Sequence, residues 1–154
     1  MSTTYISAEL RRLVIARAEL LCEYCLIHEE DTYLGCEIDH IISEKHGGPT
    51  IEDNLAYACM ICNRNKGSDV GSIVSLQNSS SFSRFFNPRI DLWYEHFQLS
   101  LEDRITILPI SDIGEVTVRI FKFNEYERLL ERQTLRDLNR YPTTGALQKM
   151  TKIW

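Results

Sequence analysis

The sequence predicts an α+β fold on three observations. An amphipathic helical pattern stands near the start, a β-branched run and a second apolar run lead into a helix in the middle, and another amphipathic pattern follows toward the end. With 154 residues, 44% of them hydrophobic, the chain suffices for one ordinary core and falls short of two full domains. Residues 1–71 are expected to form an N-terminal helix and a braced core. Residues 72–154 are expected to be an extension of short strands and helices packed on that core, not an independent domain.

From Ser7 to Leu21, apolar residues at Leu10, Leu13, Val14 and Leu21 alternate with Arg11, Arg12, Arg17 and Glu19, a helical period behind a Ser7 cap. "YLGCEIDHII" then reads as a strand or hairpin with His40 near its end. Gly47, Gly48 and Pro49 open a loop to about Asn54, and "NLAYACMICNRNKGS" turns from a short apolar run into a helix over about Cys62 to Gly67. "SIVSLQNSSSFSR" resembles a linker or surface loop, and Trp93 to Phe97 and Ile105 to Pro109 read as short strands. Asn124 and Glu127 make a capping-box pattern for a helix with Leu129, Leu130, Leu135 and Leu138 as its apolar stripe, ending before Pro142.

No apolar run approaches the roughly 18 residues of a membrane helix, and "MSTTYISAELRR" lacks the order of a signal peptide, so a cytoplasmic protein is expected. In that compartment five cysteines are poor disulfide partners and better metal ligands. The net charge of −5 and pI near 5.4 argue against a nucleic-acid partner. The distribution answers in part, because from Arg119 onward eight Lys or Arg stand against four Asp or Glu.

Cys22-x2-Cys25 and Cys59-x2-Cys62 are two matched knuckles separated by 33 residues, and four thiolates suit the tetrahedral preference of Zn²⁺. Such a site leaves no open position, so the zinc would be structural and would clamp the "IDHII" run between its knuckles. Cys36 reads as a small apolar core residue.

Chemistry then needs a second site. Asp39, His40, Asn54 and Asn63 are the polar residues inside the braced segment. A carboxylate and an amide oxygen are hard ligands for Mg²⁺ or a similar ion such as Mn²⁺, and a neutral imidazole can act as general base near pH 7. Strand geometry raises a difficulty, since neighbours such as Asp39 and His40 point to opposite faces. Taken alone, the pair reads as a solvated or core-satisfied polar interruption of a strand. Arg64 and Lys66, around the helix that carries Asn63, are candidates for phosphate contact, with an exposed helix face as the alternative.

"CEYC", "IDHII", "GGPTIEDNLAYAC" and "CNRNKG" together resemble the HNH endonuclease family in its zinc-containing ββα-metal form, over roughly Arg17 to Ser68. The resemblance implies that His40 is the general base, that Asn54 tethers the loop and orients His40, and that Asp39 and Asn63 hold the catalytic ion. It likewise implies that Cys22, Cys25, Cys59 and Cys62 hold structural zinc, that DNA is the substrate, and that cleavage leaves 5′-phosphate and 3′-hydroxyl ends. His46 and, in the extension, Arg89 are further candidates for DNA contact. "FFNPRIDLWYEHF" and "LPISDIGEVTVRIF" resemble an extension found on some bacterial HNH proteins, to which no chemistry is assigned.

Two other readings stay open. One is a zinc-braced DNA-binding or protein-interaction module without catalysis. The other, within the enzyme class, is a junction-resolving nuclease, which would act as a homodimer so that paired strands are cut.

Overall fold

The computed structural model describes residues 4–75 and 81–152. Ser7 caps α1 (Ala8–Ala18), its hydroxyl accepting from the Leu10 amide at 3.2 Å, which satisfies one of the free donors of the first turn. The helix ends where Glu19 turns left-handed at φ 54°. It buries a narrower ridge than its sequence predicts: Val14 and Ala18 pack against Leu55 and Tyr57, while Leu13 faces solvent and Leu21 lies past the helix in the main core.

β1 (Cys36–His40) pairs antiparallel with β2 (Leu55–Cys59), Asp39 opposite Ala56 and His40 opposite Leu55. Every residue of β2 is buried, which is why it reads as a continuous apolar run. α2 (Met60–Lys66) follows without a loop and begins two residues before the sequence suggests. The reason is local: Cys59 Sγ accepts from the Cys62 amide at 3.4 Å and serves as the helix cap.

The stretch expected as a linker is a strand pair instead, β3 (Gly71–Ile73) against β4 (Phe82–Arg84); its residues 76–80 lie outside the described residues. Trp93 to Phe97 is not a strand either. Trp93–His96 makes one helical turn, α3, and only β5 (Phe97–Leu99) is extended, pairing with β6 (Ile107–Pro109). Trp93 is buried and donates its indole N–H to the Tyr24 carbonyl at 2.9 Å, a tertiary contact that overrides aromatic strand preference.

α4 (Asp112–Ile120), capped by Ser111, and α6 (Thr144–Met150), capped by Thr143, were not expected. Between them α5 (Tyr126–Asp137) starts after Asn124, which does not cap it. The Asn124 amide group instead closes both hydrogen bonds with the backbone of Ile107, at 3.0 and 2.8 Å. The leucine stripe is also corrected: Leu130 and Leu138 are exposed, and α5 turns Arg128, Arg132 and Leu135 inward.

The mixture of helices and small antiparallel pairs is the α+β class expected. The larger apolar cluster draws on both sides of residue 71, from Tyr24 and Ala56 to Phe97, Phe121 and Phe123. Tyr24, Phe85 and Phe123 each meet Phe121 edge-on, with ring centroids 5.0–5.9 Å apart.

Candidate active site and metal centre

The two knuckles converge. Cys22 and Cys25 follow α1, Cys59 ends β2, Cys62 lies in the first turn of α2, and their four Sγ atoms are within 4.8 Å of one another. All four are buried and none is in a disulfide. Burial pushes the Cys22 thiol well above the usual range. Cys25 goes the other way: hydrogen bonds from the other three thiols and the charge of Arg128 outweigh its burial and hold it well below that range. Four soft donors at this spacing are positioned to bind a metal ion, and the set fits Zn²⁺. Cys36 is outside the group and half-buried, its thiol raised chiefly by burial.

Beside this centre, where β1 ends, an open cavity of about 680 Å³ is lined among others by Glu37, Asp39, His40, Asn63 and Arg64. Asp39 and His40 therefore border one space although they are strand neighbours. Glu37 and Ile38 border it too, so the cavity runs along the edge of β1 and takes in consecutive strand positions.

His40 is almost closed off, and its Nε2 lies 2.8 Å from Thr50 Oγ1. A side-chain hydroxyl thus partners that nitrogen. Asn54 pins the loop. Its Oδ1 accepts from the Ile42 amide at 2.9 Å, and its Nδ2 donates to the carbonyls of Ile42 and Pro49, both at 2.9 Å. Gly48 lets the loop pass this close, since a Cβ there would sit 1.7 Å from the Ile42 carbonyl oxygen.

Asp39 is more heavily engaged than a free ligand would be. Tyr24 donates its hydroxyl to Oδ2 at 2.9 Å, and Lys66 Nζ stands 3.2 Å from the same oxygen and 2.8 Å from the His40 carbonyl. Burial raises the Asp39 carboxyl above its ordinary range, with Lys66 and Tyr24 opposing that rise. Across the cavity Asn63 donates from Nδ2 to the Glu37 carboxylate. One segment thus sets a pinned histidine, a carboxylate and an amide around a cavity beside a four-thiol centre. Residues 22–69 match the HNH endonuclease family. No curated protein and no solved structure matches the chain.

The remaining candidates separate by exposure. Arg64 is exposed on α2 and lines the cavity; His46 is exposed on the loop but does not line it. Lys66 is not on the helix surface as predicted: it is 2% exposed, because Asp39 and the carbonyls of His40 and Gly67 draw its ammonium inward. Arg89 is likewise taken up internally, paired with Glu23 and donating to the Leu55 carbonyl at 3.1 Å. Of the eight cations from Arg119 onward, Arg128 and Arg132 are buried, so the C-terminal basic excess reaches the surface only in part. Sequence reading passed over Thr50, Glu37 and Tyr24. A hydroxyl ten residues after His40 and a carboxylate two before Asp39 carry no spacing rule of their own. Among the described residues no helix is long and apolar enough to cross a membrane.

Proposed function

We propose that the protein is a DNA endonuclease of the HNH type, hydrolysing phosphodiester bonds with His40 as general base and one divalent ion. The observation that carries this reading is that His40, Asp39 and Asn63 border the same open cavity, with the His40 ring fixed by Thr50. With Nε2 protonated and donating to Thr50, Nδ1 keeps its lone pair for a proton from water. The water oxygen bonds to phosphorus, its proton passes to His40, and the P–O3′ bond breaks. The 3′-oxygen takes a proton from solvent, leaving 3′-hydroxyl and 5′-phosphate ends.

Asp39 and Asn63 would hold Mg²⁺ or Mn²⁺, whose chemistry there is to stabilise charge on the phosphate as the bond breaks. Asn54 keeps the loop closed around His40, and Arg64 at the rim meets a backbone phosphate. Cys22, Cys25, Cys59 and Cys62 would hold Zn²⁺ as a structural brace. Residues 72–154 act with residues 1–71 as one folded unit.

Purified protein incubated with supercoiled plasmid and Mg²⁺ or Mn²⁺ is expected to nick it, and His40→Ala to lose that activity. Equal nicking by both proteins would sink the assignment. The closure of Asp39 by Lys66 and Tyr24 favours one other reading, a zinc-braced DNA-binding module. That reading gains if duplex binding survives His40→Ala and no divalent-dependent cutting occurs on linear, supercoiled, single-stranded or branched DNA.

A further inference from the structure

The metal centre has a participant outside the HNH segment. Arg128, in the first turn of α5, is 2% exposed, and its Nη2 donates to Cys25 Sγ at 3.1 Å and reaches Cys59 Sγ at 3.8 Å. Its carboxylate neighbour is a second partner. Glu131 Oε2 lies 3.0 Å from Nη1, yet that contact lacks hydrogen-bond geometry, and Nε and Nη1 are otherwise unsatisfied. A buried guanidinium needs anions, and this one faces Glu131 from Nη1 and the sulfur cluster from Nη2.

The same part of the chain grips the first knuckle residue by residue. Arg89 pairs with Glu23, Trp93 donates to the Tyr24 carbonyl, and Tyr141 donates to the Cys25 carbonyl at 3.3 Å. Arg128 then reaches the Cys25 sulfur itself. Electrostatics gives this contact a purpose: Zn²⁺ with four thiolates carries a net charge of −2, and a dry pocket disfavours that charge. A fixed cation beside the sulfurs offsets part of it. Arginine suits the position because it stays charged under burial and is more weakly hydrated than an ammonium.

We infer that Arg128 is a built-in counter-cation of the zinc–tetrathiolate centre, so that the extension sets how tightly the HNH segment holds its metal. This rests on the zinc reading of the four cysteines. Because the cation lies beside Cys25 and Cys59, it also lowers the nucleophilicity of those two sulfurs toward electrophiles.

The test uses the full chain loaded with Zn²⁺, or with Co²⁺ for spectroscopy. Arg128→Met is expected to weaken zinc retention against a competing chelator about 10- to 100-fold, the usual effect of removing an outer partner of a metal ligand. Arg128→Lys, which keeps the charge but loses the planar donor, should fall between. The sulfur-to-cobalt charge-transfer band should shift in both variants. Arg132→Met is the structural control. Arg132 is also buried on α5, but it donates to the carbonyls of Ile105 and Phe123 rather than to sulfur.

Unchanged retention in Arg128→Met, or an equal loss in Arg132→Met, overturns the inference. If Arg128→Met does not fold, the cobalt band of Arg128→Lys decides, and a band identical to wild type overturns it. Failure of the zinc reading itself is distinguishable, because wild type would then take up no metal.

Discussion

Lys66 Nζ stands 3.2 Å from Asp39 Oδ2, and neither side chain is more than 7% exposed. An ion pair so enclosed costs desolvation to form, and removing one partner leaves the other charge stranded. Lys66→Met is therefore expected to lower unfolding free energy by about 3 kcal/mol. The double variant Lys66→Met with Asp39→Asn should recover a large part of that, since the stranded carboxylate is gone. Urea unfolding of the two single variants and the double variant checks this; simply additive losses would show that the pair is not coupled.

Thr50 is expected to matter through His40 alone. Thr50→Val keeps the side-chain shape but removes the hydroxyl 2.8 Å from Nε2, so the ring loses both its orientation and its tautomer preference. Plasmid nicking should fall about tenfold, a part of the 10²–10⁴ that a general base supplies. Thr50→Ser should retain most activity, and the melting curve of Thr50→Val should stay near that of wild type. Full nicking by Thr50→Val would remove the hydroxyl from the mechanism.

What the sequence disclosed and what it hid divide along a physical line. The cysteine pairs and the Ser7 cap were legible because each works at fixed local spacing, through a knuckle or a helix turn. Lys66, Arg89 and Arg128 were misread or passed over, since exposure is the ordinary state of a cation and only a distant partner reverses it. Those partners, Asp39, Glu23 and the Cys25 sulfur, lie 27, 66 and 103 positions away. The Trp93 turn was lost for the same reason, its hydrogen bond to Tyr24 spanning 69 positions. α4 was hidden by the composition of "SDIGEVTV", where Gly114 and the β-branched residues lower helix propensity. Gly114 is needed in that helix because a Cβ there would sit 2.1 Å from the His96 carbonyl oxygen.

The metal should hold more than the knuckles together. Cys25 and its neighbours contact Arg128, Tyr141 and Trp93 of the extension, so losing the ion should loosen both halves of the chain together. Cys22→Ser or Cys59→Ser is expected to lower the melting temperature by roughly 10 °C or more, as a structural zinc contributes directly to folding free energy. Strong chelation of wild type should have the same effect, followed by near-UV circular dichroism. A serine variant that melts like wild type and keeps its metal would remove this expectation.

Asp91 gives the fold an acid limit away from the cavity. Arg84 holds its carboxylate with two hydrogen bonds, at 2.7 and 2.9 Å, and the Asn87 amide adds a third at 2.8 Å. Burial alone would raise the carboxyl, but these donors outweigh it and hold it below the ordinary range. A carboxyl depressed in the folded state stabilises above its unfolded pKa of about 3.9, and the contribution is lost as pH falls through the folded value. Asp91→Asn should therefore cost about 1–2 kcal/mol at neutral pH, where the charged acceptor is lost. The gap between wild type and variant should stay constant from pH 7 down to about 5 and shrink below about 4. Urea titrations at pH 7, 5 and 3.5 measure that gap, and one of the same size at all three values would show that the ionisation of Asp91 does not set it.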